Sequence, residues 1–293
     1  MFFVPKSLRY KSVKDELVLI TGAGSGLGRA LAIRFARLGA HLVVWDINKP
    51  GLEETVKLVK EANPSIKCKP YICDITNRQV VYETADRVKQ EMGSVTVLVN
   101  NAGVVNGKNL MDIPDEKIIQ TFNVNAISHF WTVKAFLPEM MAKNSGHLVS
   151  IASVAGQVGS CQLTDYCASK FACVGFEESL RMELINADLT GIKSTIALPY
   201  FMNTGMFAGF NSPILPALEP EDVANEIMAG ILTDSVYVVV PKSCYALNTL
   251  KTILPDMAYN KMYEVLGGFQ VMAGFKGRED NNNTNNNNNR KVK

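Results

Sequence analysis

No apolar run in this chain approaches the ~20 residues a membrane-spanning helix needs, and no signal-peptide core follows its first residues. Any membrane attachment is therefore expected to be peripheral. Its six cysteines stand singly with no C-x-x-C pair, so neither a disulfide framework nor a thiolate metal site is expected. A reducing compartment or a cytosol-facing domain fits that usage. The three histidines, His41, His129 and His147, are scattered, and His129 and His147 read as packing residues rather than ligands. With 30 Lys+Arg against 28 Asp+Glu the net charge is +2, and no basic stripe is interleaved with aromatics, which excludes nucleic acid as a partner.

What is present is enough apolar material for one large core: 293 residues, 47% hydrophobic and 20% charged. Strand-like runs near Leu17, Leu42, Lys69, Val95, Leu148, Ser194 and Tyr237 alternate with helical patterns. Alternation of that kind predicts an α/β fold, a single Rossmann-type doubly wound parallel sheet with helices on both faces.

The first strand, residues 17–20, runs into Thr21-Gly22-Ala23-Gly24-Ser25-Gly26-Leu27-Gly28 and then a helical pattern from Arg29 to Leu38. Strand, glycine loop and helix start together offer backbone N–H groups to a pyrophosphate. The spacing of Gly22, Gly26 and Gly28 is G-x-x-x-G-x-G, not the commoner dinucleotide fingerprint. The next strand, 42–45, ends in Asp46, about where a carboxylate accepts bonds from an adenosine ribose. A carboxylate there repels a 2′-phosphate by up to about 4 kcal/mol at ~4 Å and an effective dielectric of ~20, so NAD is expected over NADP. Lys49, close in sequence, is the residue that would weaken this repulsion.

Further on, Tyr166-Cys167-Ala168-Ser169-Lys170 places a phenol and an ammonium four residues apart, on one face if the segment is helical. The ammonium is expected to lower a phenol pKa that is ordinarily about 10, making Tyr166 a base. Ser153 lies thirteen residues upstream.

On these residues the chain resembles the short-chain dehydrogenase/reductase family over roughly residues 15–240. The resemblance implies that Gly22, Ser25, Gly26, Leu27 and Gly28 belong to the cofactor loop, that Asp74 with Ile75 meets the adenine, and that Asn101, Ala102 and Gly103 close the Asn-Asn-Ala-Gly motif. It implies a catalytic set of Ser153, Tyr166, Lys170 and Asn125, with Asn123 the alternative to Asn125, and Ser150 merely a strand end. Pro199 and Thr204 match the ends of a segment that contacts the nicotinamide carboxamide, and Tyr200 stands where most of the family has glycine. The implied chemistry has Ser153 and Tyr166 holding a substrate hydroxyl and Tyr166 taking its proton. Lys170 bonds the nicotinamide ribose, and Asn125 with water links Lys170 to solvent. NAD is the implied cofactor, and no metal takes part.

Within the family the resemblance is to the group of epidermal retinol dehydrogenase 2, retinol dehydrogenase 10 and 17-beta-hydroxysteroid dehydrogenase type 11. It rests on Val44-Trp45-Asp46-Ile47-Asn48, Lys134-Ala135-Phe136-Leu137-Pro138, Asp165 to Phe171, and Pro199-Tyr200-Phe201 with Asn203-Thr204-Gly205-Met206-Phe207. The group implies oxidation of a lipophilic alcohol at a cytosol-facing endoplasmic reticulum membrane or lipid-droplet surface, or in the cytoplasm if an anchor is absent. Reduction in the reverse direction, or a non-catalytic lipid-surface protein that keeps the fold, are the alternatives. Sugar epimerases share Tyr-x-x-x-Lys but differ in glycine spacing and carry a larger C-terminal domain. A homodimer through the helices at 122–136 and 166–185 is expected by analogy.

The organisation expected is a basic arm over 1–14, a catalytic domain over 15–240, amphipathic helices over 241–278 and a disordered tail over 279–293. Leu247, Leu250 and Leu254 share one helical face, and Met262, Leu266 and Phe269 another, followed by Val271, Met272 and Phe275. Two readings stay open: these helices cover the substrate cleft, or they touch lipid. In the arm, Met1-Phe2-Phe3-Val4 is followed by Lys6, Arg9, Lys11 and Lys14, which suit an anionic surface or a solvated arm alike. The Asn-rich tail has no apolar residue except Val292 and should not order. Its sequon at Asn282 would go unused on a cytosolic face.

Overall fold

The computed structural model describes residues 10–212 and 215–277, and the expectations for the arm before Tyr10 and the tail after Gly277 lie outside them. Seven strands form one sheet: β1 (Leu17–Thr21), β2 (His41–Asp46), β3 (Cys68–Ile72), β4 (Val97–Asn100), β5 (Gly146–Ile151), β6 (Ile192–Pro199) and β7 (Tyr237–Val240). Their order is β3-β2-β1-β4-β5-β6-β7, and every neighbouring pair is parallel. Parallel neighbours require crossovers, and α-helices supply them. The order reverses between β1 and β4, leaving a crevice at their carboxyl ends where such sheets bind ligands.

The helices are α1 (Gly26–Arg37), α2 (Lys49–Ala62), α3 (Arg78–Met92), α4 (Asp115–Phe122), α5 (Ser128–Lys143), α6 (Thr164–Asn186), α7 (Pro220–Leu232), α8 (Cys244–Ile253) and α9 (Asp256–Val265). Alternate strand residues point to opposite faces, so the sheet makes two cores. Val18, Ile20 and Val44 pack with Phe35, Val59 and Ile227 of α1, α2 and α7. Leu19, Val43 and Trp45 pack on the other side with Val88, Phe136 and Leu184 of α3, α5 and α6. Trp45 is fully buried, with its ring 5.8 Å from that of Phe136. Truncating such a side chain to alanine costs about 3–5 kcal/mol.

β3 ends at Ile72, and Cys73 and Asp74 follow it. Elsewhere, expected boundaries move. The helix expected across 122–136 is interrupted: α4 stops at Phe122, Asn123–Ile127 forms a π-helical turn, and α5 begins at Ser128. Ser150 lies at the end of β5, one residue before its last, and its hydroxyl donates to buried Glu177 at 2.7 Å. Leu254 follows α8, and Leu266 and Phe269 follow α9. No helix among the described residues is long and apolar enough to cross a membrane. Lys11 of the arm is tied to the body of the protein, ion-paired to Asp234 at 2.6 Å and bonded to His147 Nδ1 at 2.7 Å. His129 and His147 are buried as expected of packing residues, and burial pulls both imidazoles down to about 3.

Candidate active site

The glycine loop joins β1 to α1 at the carboxyl edge of the sheet, against the loop after β4. Gly22 has φ +65°, and a Cβ there would stand 2.7 Å from Ala102 Cα. A Cβ on Gly28 would overlap the Gly22 carbonyl and stand 2.6 Å from Asn101 Nδ2, so only glycine lets α1 begin this close to β1. Asn101 fastens the loop: its Nδ2 donates to the carbonyls of Thr21 and Gly22 at 2.9 and 3.1 Å. Thr21 Oγ1 accepts the backbone N–H groups of Asn101 and Ala102 at 3.0 and 3.1 Å. Asn101 thus holds the cradle as well as bordering it. Ser25, Gly26 and Leu27, at the start of α1, face a cavity of about 540 Å³. Helix starts carry backbone N–H groups without intrahelical acceptors and the positive dipole end, which suits a pyrophosphate.

Asp46 closes β2 beside that cradle. Its Oδ2 accepts the Gly24 N–H at 2.8 Å and its Oδ1 accepts the Asn48 N–H at 2.9 Å, which orients the carboxylate. Lys49 turns instead toward Glu53, 3.9 Å away. Asp46, Asp74 and Ile75 all line the cavity; Asp74 is exposed and caps its own turn through Thr76, while Ile75 is buried. Thr204 lies against Gly26, its Cγ2 3.5 Å from where a Cβ on that glycine would stand, and Thr204, Pro199 and Gly103 all line the cavity. A glycine cradle, a helix start and an acid at the end of β2 fit a dinucleotide.

The chemical groups converge at the other end. Ser153 follows β5, accepts the Ala155 N–H at 3.1 Å and donates to the Pro199 carbonyl at 3.3 Å. Tyr166 and Lys170 lie one turn apart on α6, both buried and both lining the cavity. The Lys170 ammonium donates to the Ile151 carbonyl at 2.8 Å. Burial pushes the Tyr166 phenol well above its ordinary value, with its side-chain interaction with Ser153 pulling the other way, and burial lowers the Lys170 ammonium. The expected depression by Lys170 is therefore not seen in the protein alone: burial, which disfavours the charged phenolate, is the largest influence on Tyr166.

Asn125 sits in the π-helical turn, a feature that recurs at functional sites. Its side chain is fully buried and held by the Val104 N–H, the Val104 carbonyl and Ser169 Oγ at 2.8, 3.0 and 3.0 Å. The Cβ position of Gly103 lies 3.4 Å from Asn125 Oδ1 and 3.7 Å from Lys170 Nζ, so glycine keeps the space between the two groups open. Asn123 borders the cavity; Asn125 stands behind it, beside Lys170.

Aromatic and aliphatic side chains form much of the remaining wall. Phe207 meets the Tyr166 ring edge-on at 5.8 Å, and Phe201 stacks on Phe210 at 4.0 Å. Tyr200 is not among the residues with positive φ; its N–H pairs with the Val240 carbonyl at 2.8 Å, so the turn needs no glycine and the phenol joins the wall. Leu247, Tyr263, Leu266 and Val271 close the cavity from the C-terminal side. Tyr263 carried no motif and is found only by folding, with its Oη 3.2 Å from Ser160 Oγ.

A family model described as short chain dehydrogenase matches residues 16–214. Epidermal retinol dehydrogenase 2 of Mus musculus is 47% identical over 272 residues, covering 92% of this chain and 88% of its own length. Estradiol 17-beta-dehydrogenase 11 of Homo sapiens is 48% identical over 254 residues, covering 87% and 83%. Among solved structures, a short chain dehydrogenase/reductase from Burkholderia phymatum in complex with NAD matches with a TM-score of 0.75 at 28% identity, covering 83% of this chain and 94% of that one. The glycine cradle, the seven-stranded parallel sheet and these likenesses agree: the chain belongs to the short-chain dehydrogenase/reductase family.

Proposed function

We propose that this protein oxidises a lipophilic alcohol, such as a retinol, a steroid or a long-chain alcohol, to its carbonyl with NAD. One observation carries the reading: a single cavity joins Asp46 and the glycine cradle to Ser153, Tyr166 and Lys170, and beyond them to walls of Phe201, Phe207 and Tyr263. The relatives named for retinol and estradiol support the same substrate class. Bound NAD supplies the hydride acceptor.

The protein's own part is to hold and deprotonate the alcohol. Ser153 and Tyr166 present two hydroxyls to the substrate oxygen, and Tyr166 Oη takes its proton. Lys170 places a positive charge beside the phenolate as it forms, and the Asn125 backbone helps hold a water through which Lys170 exchanges its proton with solvent. Asp46 sets the preference for NAD by its charge. The same groups serve carbonyl reduction in reverse, and cofactor choice favours oxidation.

Location and assembly follow from exposed apolar side chains. Ile253, Met257, Val265 and Phe269, around the C-terminal helices, support peripheral contact with an endoplasmic reticulum membrane or lipid-droplet surface. Phe130, Phe171, Met182 and Ile185 on α5 and α6 support a homodimer.

The deciding experiment follows NAD and NADP reduction by the purified protein with detergent-dispersed all-trans-retinol, a steroid alcohol and a long-chain alcohol, beside Tyr166→Phe. NAD-dependent turnover that vanishes in the variant supports the proposal. Bound NAD without turnover of any alcohol or matching carbonyl favours a non-catalytic lipid-surface role.

A further inference from the structure

After α9 the chain continues as an irregular segment, residues 266–277, from which Leu266, Gly268 and Val271 line the cavity. Val271 and Met272 turn inward and pack in one cluster with Leu163, Tyr166 and Phe207. Among the described residues three backbone bonds join the segment to the loop after β6: the Asn211 N–H to the Val271 carbonyl at 3.1 Å, and the Lys276 and Gly277 N–H groups to the Ala208 carbonyl at 2.8 and 3.3 Å.

Its seating depends on two places where no side-chain atom can be added. Gly209, at φ +84°, crosses Gly274 so closely that a Cβ on Gly209 would overlap the Gly274 carbonyl. Gly107, at φ +62° in the loop after β4, lies under the Phe275 ring, and a Cβ there would overlap it. The absence of a side chain at both glycines lets the segment pack closely, against backbone at Gly209 and against the Phe275 ring at Gly107. Neither glycine borders the cavity. They act only on where the segment lies.

We propose that residues 266–277 form a strap that fixes the width of the substrate pocket, with Val271 its specificity-determining residue. Val271 lines the cavity and shares a cluster with both Tyr166 and Phe207, so its size sets how bulky a carbon skeleton can bring its hydroxyl to Tyr166. A slender alkyl or polyene alcohol passes a valine; a fused-ring alcohol meets it. The inference rests on the dehydrogenase reading of this cavity and adds the element that selects among its substrates.

The test compares kcat/KM with NAD for a steroid alcohol and for 1-dodecanol, and measures all-trans-retinol binding by fluorescence, in the full chain and in Val271→Ala, Val271→Trp, Gly107→Ala and Phe275→Ala. Val271→Ala is expected to raise the steroid-to-dodecanol ratio at least fivefold and Val271→Trp to lower it at least tenfold. Phe275→Ala, which loosens the seating without adding an atom, is expected to raise the ratio with NAD binding retained, and so is Gly107→Ala if it folds. An unchanged ratio in both Val271 variants, with turnover intact, overturns the strap and leaves the dehydrogenase reading standing. No turnover in the wild type, but retinol binding weakened at least tenfold in Val271→Trp, overturns that reading and supports the strap. Neither turnover nor retinol binding in the wild type overturns both.

Discussion

The Lys170 ammonium lies 5.7 Å from the centre of the Tyr166 ring and donates to the Ile151 carbonyl at 2.8 Å. The end of β5 thus holds the cation beside the phenol, one helical turn away on α6. Burial raises the phenol's pKa, and a cation this close is expected to favour the phenolate once it forms.

Replacing Tyr166 by phenylalanine removes the proton acceptor and keeps the ring that packs on Phe207. Turnover is expected to fall by about 10²–10⁴, with NAD binding unchanged. Steady-state kinetics beside fluorescence titration of the cofactor check this, and residual turnover above a tenth of wild type would remove Tyr166 from the role of base.

In the proposed mechanism Tyr166 must be deprotonated before it can take the alcohol's proton, and burial raises its pKa. Alcohol oxidation is therefore expected to rise with pH and level off on the alkaline side. Lys170→Met removes the neighbouring positive charge, which makes the phenolate harder to form, so the rise moves to higher pH. The check is log kcat/KM against pH at saturating NAD; a profile that stays in place excludes Lys170 as the tuning charge.

Asp46→Asn retains a carbonyl oxygen for one of the two loop N–H groups and removes the charge. The ratio of kcat/KM for NAD over NADP is expected to fall at least tenfold, well within the ~4 kcal/mol upper bound on the repulsion. A ratio that does not move would place cofactor choice elsewhere in the loop.

His129 and His147 are held neutral by burial, with folded pKa values of about 3 against the ordinary 6.5. A lowered folded pKa means the unfolded chain takes up the proton first. The stability is therefore complete above about pH 6.5 and is lost as pH falls from there toward about 3, by up to about 1.4 kcal/mol per pH unit for each histidine. Thermal melting between pH 7 and pH 4 should show this decline, with a shallower slope in His129→Gln. An identical slope in that variant assigns the acid sensitivity to other groups.

Much of the fold was legible because period and punctuation agreed. Buried parallel strands read as short apolar runs, and the glycine loop marked where the first one turns into a helix. The break at Asn123–Ile127 was not legible, since its residues continue a helical pattern and only packing against Val104 and Ser169 widens the turn. Ser150 read merely as a strand end because its partner Glu177 lies twenty-seven residues away. Tyr263 had no pattern to mark it, because its partners are Ser160 and Cys161, about a hundred residues earlier.

Local order along the chain determined the family, the parallel sheet and the identities of Asp46, Ser153, Tyr166 and Lys170, because turn chemistry and helical spacing act over a few residues. Tertiary structure alone decided how dry the Tyr166 pocket is, that Lys170 is held by Ile151, and that Val271 and Tyr263 close the cleft. Burial and long-range contact depend on segments that meet only after the sheet has formed, and no short stretch of sequence carries them.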